Sequence, residues 1–319
     1  MISRRLLRMK AMHIAFAYFS SGEGSLKFYE NELTNSILKF HDLYHAFFAL
    51  LVETRQFAVN RMELRKNKLM PTEEDLNPNT RFVNNRVILD IEQIEDFQKY
   101  ITTRKIGWQE YPEIIRHVYN SLIESDVYDN YINAEEDNYN NDRQIVYYFL
   151  EQVFPDNDEL YQLLEEQSIY WNDDIELVLS MNIRTVQRMK ENRGADNKLL
   201  PLYKTDDDME FVKKLFRRTI VNHERNLDII TQLSDKWEAE RIALADKVII
   251  EMALTELTEF PLIPVPITLN EYIEMAKYYS TEKSHVFVNG MLEKAIEILT
   301  AEGLIKKIGP GLNSKSNEE

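Results

Sequence analysis

The chain has 319 residues, enough for two domains, and 44% of them are hydrophobic, which suffices for ordinary cores. It contains only eight glycines and nine prolines, which favours long helices over a turn-rich β fold. There is no cysteine, so disulfides and thiolate metal sites are excluded, and a reducing cytosol is compatible.

The formal net charge is −16, which taken alone argues against a nucleic-acid-binding protein. The charge is unevenly distributed, however, because residues 1–22 contain four cations and no acid. A local basic patch on an acidic body can attract one anionic ligand while the body resists nonspecific association. No apolar run approaches the roughly 20 residues of a membrane-spanning helix, so we expect a cytoplasmic protein without membrane attachment.

The first predicted helix covers residues 3–18 and carries all four cations; Arg4, Arg5 and Arg8 lie in its first two turns, and Lys10 follows them. Cations at a helix N-terminus oppose the helix dipole, at a typical cost of a few tenths of a kcal/mol each. An outside anion would offset that cost, and the planar fork of arginine suits phosphate. The cluster is therefore a candidate phosphate-contacting surface, and the alternative is a solvated basic face.

A long helix is predicted over residues 27–65. Its apolar positions alternate by four and three, the spacing of a heptad seam: Leu33, Ile37, Phe40, Tyr44, Phe47, Leu51, Thr54 and Ala58. This seam must be buried, either against the aromatic helices of residues 143–189 or against a second copy of the chain in a homo-oligomer. We favour the first solution because Tyr147, Phe149 and Trp171 otherwise lack a partner face.

His41 and His45 lie one helical turn apart on this helix, a spacing at which two histidines can share a metal ion. No third histidine is near them in the sequence, so we interpret both as packing residues and predict no metal site. The motifs of phosphate-binding loops, zinc proteases and nucleophile elbows are also missing from the sequence. We therefore predict neither a cofactor nor an enzymatic activity.

The middle of the chain is predicted to continue as shorter helices between polar connections. A mobile, proline-interrupted loop covers residues 66–85, and a linker covers residues 194–208. The helices between them are predicted at residues 89–101, 112–128, 143–154, 159–171 and 173–189. Their aromatic residues fall at helical spacing among acidic residues, which is typical of core packing rather than of stacking on nucleic-acid bases.

The stretch of residues 246–295 predicts three more helices. The first carries one apolar face at helical spacing: Ile250, Ala253, Leu254 and Leu257. Three prolines then exclude helix and require an extended crossing: Pro261, Pro264 and Pro266. Thr268 and Glu271 predict a capping box that begins the second helix, and Gly303 predicts a left-handed cap that ends the third.

Several ordered groups of residues in this part of the chain follow one pattern. They are Phe211 with Leu215, Trp237 with Arg241, Ile242 and Asp246, the pairs Asn270-Glu271 and Ala276-Lys277, and the run from Ser284 to Gly290. Together they resemble the NusB family of bacterial transcription antitermination factors. Two departures from the family pattern are Arg218, where a glycine is usual, and His13-Ile14-Ala15-Phe16, where a Q-A-L-Y-like segment is usual.

The resemblance implies an all-α fold, in which the N-terminal helix and the C-terminal half form a NusB-like helical bundle that carries an inserted helical subdomain. Residues 1–22 and 208–305 would form the bundle. Residues 23–207 would be the inserted region, whose role the sequence leaves open, and residues 306–319 a flexible tail.

The resemblance also implies a function. A NusB-like factor binds boxA-like single-stranded RNA with the ribosomal protein NusE, joins the RNA polymerase elongation complex and supports processive transcription of ribosomal RNA. RNA contacts are implied for Arg4, Arg5, Arg8, Lys10, Lys283 and Phe287, and contacts with a NusE-type protein for Phe16 and Asp246. The alternative is a helical protein-interaction scaffold, dominated by the insertion, that has lost RNA binding.

Overall fold

The computed structural model describes residues 2–234 and 241–312. Within those ranges the chain is helical and contains no β-strand, which confirms the predicted all-α class. No helix in the same ranges is long and apolar enough to cross a membrane. Trp237 and residues 313–319 of the expected tail lie outside the described residues.

The chain forms two compact units. The terminal unit comprises Ile2–Ile37 and the chain from Tyr203 onward, and the middle unit comprises Leu38–Leu202. The first change of unit therefore falls inside a continuous helix, Leu26–Lys66, rather than at the glycine-containing break near residue 22 where we expected an insertion to begin.

The terminal unit is a helical bundle. Its helices are α1 (Arg4–Ser21), the first turns of α2 (Leu26–Lys66), α11 (Asp206–Val221), α12 (His223–Leu233), α13 (Leu244–Glu259), α14 (Val265–Tyr279) and α15 (Ser284–Ala301). Helix α13 is central: it packs against α1, α11, α12, α14 and α15, and every residue from Val248 to Leu257 is buried. The N-terminal helix thus packs with the C-terminal half, as expected.

The middle unit holds the remainder of α2 and a series of shorter helices. They are α3 (Glu73–Leu76), α4 (Arg86–Gln93), α5 (Glu95–Arg104), α6 (Pro112–Ile123), α7 (Asp126–Asn133), α8 (Tyr139–Tyr148), α9 (Asp158–Gln167) and α10 (Ile175–Arg188). Single helices predicted over residues 89–101 and 112–128 are wrong, because each is two helices. The breaks come at Ile94, whose backbone is extended, and at Ser125, whose hydroxyl accepts the N–H of Tyr128 and begins α7.

All eight residues of the α2 seam are buried. The ring of Phe47 stacks on Phe154 with 5.6 Å between centroids, and the hydroxyls of Tyr44 and Thr185 lie 2.7 Å apart. The prediction that the seam packs against the aromatic helices of the same chain is therefore confirmed for Tyr44 and Phe47, whereas Leu33 and Ile37 belong to the terminal unit.

His41 and His45 are packing residues, as predicted. The ring of His45 stacks on Tyr100 at 3.9 Å between centroids, and its Nδ1 lies 2.9 Å from the carbonyl oxygen of His41. Burial lowers the pKa of His41 to about 4 and that of His45 to about 3. Both rings are consequently neutral near pH 7.

The predicted capping box of α14 is wrong. The helix begins at Val265, with Pro264 at the N-cap and Pro266 in the first turn, where the fixed φ of proline suits a helix and its missing N–H costs nothing. The predicted left-handed cap at Gly303 is confirmed by a φ of 68°. The N–H of Leu304 then reaches the carbonyl of Leu299 at 2.8 Å, the bond that closes a Schellman motif.

Candidate functional site

The basic cluster of α1 is neutralised inside the protein. The guanidinium of Arg8 donates to both oxygens of Glu256, from Nε at 2.7 Å and from Nη2 at 2.9 Å. Only 4% of the Arg8 side chain and none of the Glu256 side chain is exposed. Burial disfavours the charge of Arg8, but the charge and hydrogen bonds of Glu256 outweigh burial and raise the pKa of Arg8.

Two residues of α14 complete the surroundings of Glu256. The hydroxyl of Thr268 donates to one carboxylate oxygen at 2.9 Å, and the hydroxyl of Tyr272 donates to the other at 3.2 Å. Burial, together with the charge of Glu256, raises the pKa of Tyr272. Helices α1, α13 and α14 therefore meet at one fully hydrogen-bonded carboxylate, which explains why Thr268 does not cap α14.

Arg4 and Arg5 are more accessible than Arg8. The Nε of Arg4 donates to Asp208 at 3.0 Å, and the guanidinium of Arg5 donates twice to Glu271, at 2.9 and 3.0 Å. Their side chains remain 44% and 56% exposed. An outside anion was expected to neutralise the cluster, but carboxylates of the same chain already pair with its three arginines.

Two of the sequence-predicted RNA contacts do not lie on the surface. Arg8 and Lys10 are both buried. A phosphate can approach neither side chain without a rearrangement of α1, so neither is available to RNA on the surface of this structure.

A groove of about 440 Å³ lies where α13 and α15 begin. Its lining includes Arg241, Ile242, Asp246, Lys283, Ser284 and Phe287. The groove thus brings together Lys283 and Phe287, for which RNA contacts were expected, and Asp246, for which a protein contact was expected. Arg241 and Lys283 are exposed cations, and the Phe287 ring is 36% exposed.

Asp246 links the starts of the two helices that frame the groove. Its Oδ2 accepts from the hydroxyl of Ser284 at 2.9 Å, and Ser284 also bonds to the hydroxyls of Ser280 and Thr281. Asp246 is only 6% exposed, and its Oδ1 is buried with no hydrogen-bond partner among the described residues. The N-cap of α13 is Ala243, so Asp246 is not merely a cap.

Phe16 lies on α1, outside the lining of this groove, and is 39% exposed. It is a large aromatic ring on the surface of a helix whose other face is buried, as a protein-contacting residue requires. The structure therefore places Phe16 and Asp246 differently: Phe16 presents a ring to solvent, whereas Asp246 presents almost no surface.

Sequence reasoning missed Glu256 and Arg241. Glu256 had a detectable signal, because it lies three residues after Ala253 on the apolar face of α13, and an acid on a buried face requires a cationic partner. Arg241 entered the sequence pattern only as a matching residue. Its place in the groove depends on how α13 and α15 pack, which no local pattern encodes.

These features define a helical protein whose first helix is locked to a C-terminal bundle by a buried ion pair, and whose bundle carries an aromatic and cationic groove. Residues 175–297 match the model of the NusB family. The transcription antitermination protein NusB of Salinibacter ruber is 38% identical over 113 residues, which are 35% of this chain and 71% of that protein. The chain belongs to the NusB family.

Two further relatives, also named transcription antitermination protein NusB, are similar to this chain in sequence. That of Alkaliphilus oremlandii is 35% identical over 100 residues, 31% of this chain and 70% of that protein. That of Chloroherpeton thalassium is 35% identical over 103 residues, 32% of this chain and 49% of that protein. No solved structure matches the chain. The family match begins in α10 and does not include α1, so the place of α1 in the bundle depends on its packing against α11 and α13.

Proposed function

We propose that this chain is a NusB-type antitermination factor that binds boxA-like single-stranded RNA together with a NusE-type ribosomal protein. The complex joins the RNA polymerase elongation complex in the cytoplasm and supports processive transcription of ribosomal RNA. The chain acts by assembling this complex; it catalyses no reaction and uses no cofactor. Family membership and the name of the relatives support this role, and the groove at the starts of α13 and α15 is the observation that carries it.

The RNA interface combines the groove with the exposed edge of α1. Single-stranded RNA is bound by cations that follow its phosphates and by aromatic rings on which its bases stack. Arg241 and Lys283 supply the cations of the groove, and the exposed face of Phe287 supplies the ring. Arg4 and Arg5 exchange their carboxylate partners for phosphates, at small cost because exposed ion pairs contribute little.

The protein interface uses Phe16 as its exposed anchor, since a half-exposed aromatic ring gains most from burial against a partner. Asp246 contributes through its unpartnered Oδ1, which accepts a hydrogen bond from a donor that enters the groove. A small basic ribosomal protein offers such donors, and the charge of this acidic chain favours its approach.

Filter binding of a boxA-like RNA and of a scrambled RNA, at two salt concentrations, tests the RNA function. We expect preferential binding of the boxA-like RNA, weakened by Lys283→Ala and by Phe287→Ala. Lys294→Ala is the matched control, because Lys294 is an exposed lysine of α15 outside the groove lining. Equal binding of both RNAs would contradict the expected boxA preference. Binding of neither RNA would favour the scaffold alternative, in which the middle unit makes the main contacts.

A further inference from the structure

A second cavity, of about 150 Å³, lies within the middle unit. It is bounded by α2, by the C-terminal ends of α5 and α9, by residues 105–108 and by the short 3-10 turn Ile169–Trp171. The residues that matter chemically are Lys39, Arg104, Lys105, Gln167, Trp108 and Trp171. None of them belongs to the groove described above.

The two tryptophans form fixed walls for this cavity. The indole N–H of Trp108 donates to the carbonyl of Ala46 at 2.8 Å, and that of Trp171 donates to the carbonyl of Lys39 at 2.8 Å. Both rings are buried and both are tied to the same helix. A ligand therefore meets walls that are already in place, and its binding does not have to order them.

The cavity is cationic in a chain that is strongly acidic. Arg104 donates to Asp42 through Nε and Nη2, which leaves its Nη1 free to donate elsewhere. Asp42 also accepts from the hydroxyl of Tyr100 at 2.9 Å, so this carboxylate is fully engaged. Neither Lys39 nor Lys105 has a carboxylate within salt-bridge distance among the described residues; the Nζ of Lys39 lies 5.6 Å from the Trp171 ring centroid.

We propose that this cavity binds a small phosphate-bearing ligand, a phosphate monoester or inorganic phosphate. A phosphate group accepts hydrogen bonds from several directions at once, and four residues of the lining can donate them: Lys39, Arg104, Lys105 and Gln167. The volume of about 150 Å³ suffices for a phosphate group and is below the roughly 300 Å³ at which pockets for whole small molecules begin, so the rest of a monoester would lie outside the cavity.

Intrinsic fluorescence reads this site directly, because two of the three tryptophans in the chain form its walls. The full chain with Trp237→Phe, which leaves only those two, is titrated with inorganic phosphate and with adenosine monophosphate. We expect a saturable change in emission with at least one of them. Tighter binding of the nucleotide assigns the site to a phosphate monoester, and equal binding assigns it to the phosphate group alone.

The double variant Lys39→Ala/Lys105→Ala should weaken that binding at least about tenfold, since each lysine supplies a charge-assisted hydrogen bond. The matched control is Lys99→Ala/Lys198→Ala, which removes two exposed lysines of the same unit outside the cavity. Circular dichroism checks that both double variants keep their helicity. If Lys39→Ala/Lys105→Ala does not fold, the single variant Lys105→Ala takes its place. The proposal is overturned by the lack of a saturable change at millimolar ligand, or by equal losses of binding in both double variants.

Discussion

Arg8 and Glu256, separated by 248 residues in the sequence, form a two-pronged ion pair in the centre of the terminal unit. The pair holds α1 against α13, and its carboxylate also accepts hydrogen bonds from α14. Arg8, which the sequence analysis predicted as an RNA contact, therefore stabilises the fold instead.

Removal of Arg8 should destabilise the terminal unit strongly. Arg8→Met leaves the Glu256 carboxylate buried without its cation, and breaking a buried pair in this way costs about 3–5 kcal/mol. Urea denaturation followed by circular dichroism measures the loss, and Arg8→Met/Glu256→Gln should recover much of it. Arg5→Ala is the control, with an expected cost below about 1 kcal/mol because its pair is exposed and screened. Similar costs for Arg8→Met and Arg5→Ala would refute the structural role of the Arg8 pair.

Stability should also depend on pH through Glu251. This carboxyl lies 2.8 Å from Nδ1 of His223, and burial raises its pKa from 4.5 to about 7, although His223 partly opposes that shift. Because the folded-state pKa is the higher one, the folded protein binds the proton more tightly than the unfolded chain. The resulting stability is complete below pH 4.5 and is lost as the pH rises through about 7.

Glu251→Gln keeps the shape of the side chain and removes this titration. The free energy of unfolding of the wild type should fall, relative to the variant, by roughly 2–3 kcal/mol between pH 4.5 and pH 8. Denaturation curves at several pH values measure the difference. Parallel pH profiles for the two proteins would show that Glu251 does not titrate in this range.

The outer arginines should contribute to the salt dependence of RNA binding. Each phosphate contact on a single strand contributes about 0.7 to the slope of log K against log salt, so Arg4→Ala/Arg5→Ala should reduce the slope by about 1.4. Filter binding over a salt series measures the slope, with Lys99→Ala/Lys294→Ala as the charge-matched control. An unchanged slope in the arginine variant would remove α1 from the RNA interface.

Replacing the charged Asp246 by a neutral residue should weaken the binding of the protein partner. Asp246→Asn preserves the size of a side chain that is almost fully buried, whereas a larger replacement would disturb the starts of α13 and α15. Calorimetric titration with the NusE-type ribosomal protein should show binding weakened about tenfold or more. Ser284→Ala is the informative comparison, since it removes the hydrogen bond that Ser284 donates to Asp246 but keeps the charge of Asp246. Wild-type affinity in Asp246→Asn would limit this residue to a structural role.

The division into units predicts where the middle of the chain can be excised. Replacing residues 38–202 by a glycine-serine linker keeps Leu33 and Ile37 in the core, and keeps the ion pair between Glu30 and Arg217. Replacing residues 24–205 removes all three features. The first variant should therefore remain soluble and monomeric by size-exclusion chromatography, and the second should unfold at lower urea. The opposite order would place the boundary at the glycine-containing break.

The sequence predicted those parts of the fold that depend on local pattern. The seam of α2, the αL cap at Gly303 and the apolar face of α13 were recognisable because each repeats a short spacing that one helix imposes. The predicted capping box at Thr268 does not form, because the threonine hydroxyl donates to Glu256 instead. Glu256 is distant in sequence, so no local pattern indicates this bond.

The candidate site was predicted only in part, for the same reason. The cations of α1 were identified by type, but whether a cation faces solvent or a carboxylate depends on which helices pack beside it. Arg8 faces the core, whereas Arg4 and Arg5 lie at its edge. Likewise, Asp246 and Lys283 line one groove because α13 and α15 begin side by side, a relation that sequence spacing does not contain.

The pairing of Arg8 with Glu256 also has a consequence for biosynthesis. Ribosomes add about 5–20 residues per second, so α1 waits roughly 12–50 s after its synthesis before Glu256 is made. During that interval the middle unit, Leu38–Leu202, is completed and can fold, and α11 (Asp206–Val221), against which α1 packs, is made after it. The nascent chain therefore carries α1 without its buried ion-pair partner for most of its synthesis, and the terminal unit can be completed only after the middle unit has left the ribosome.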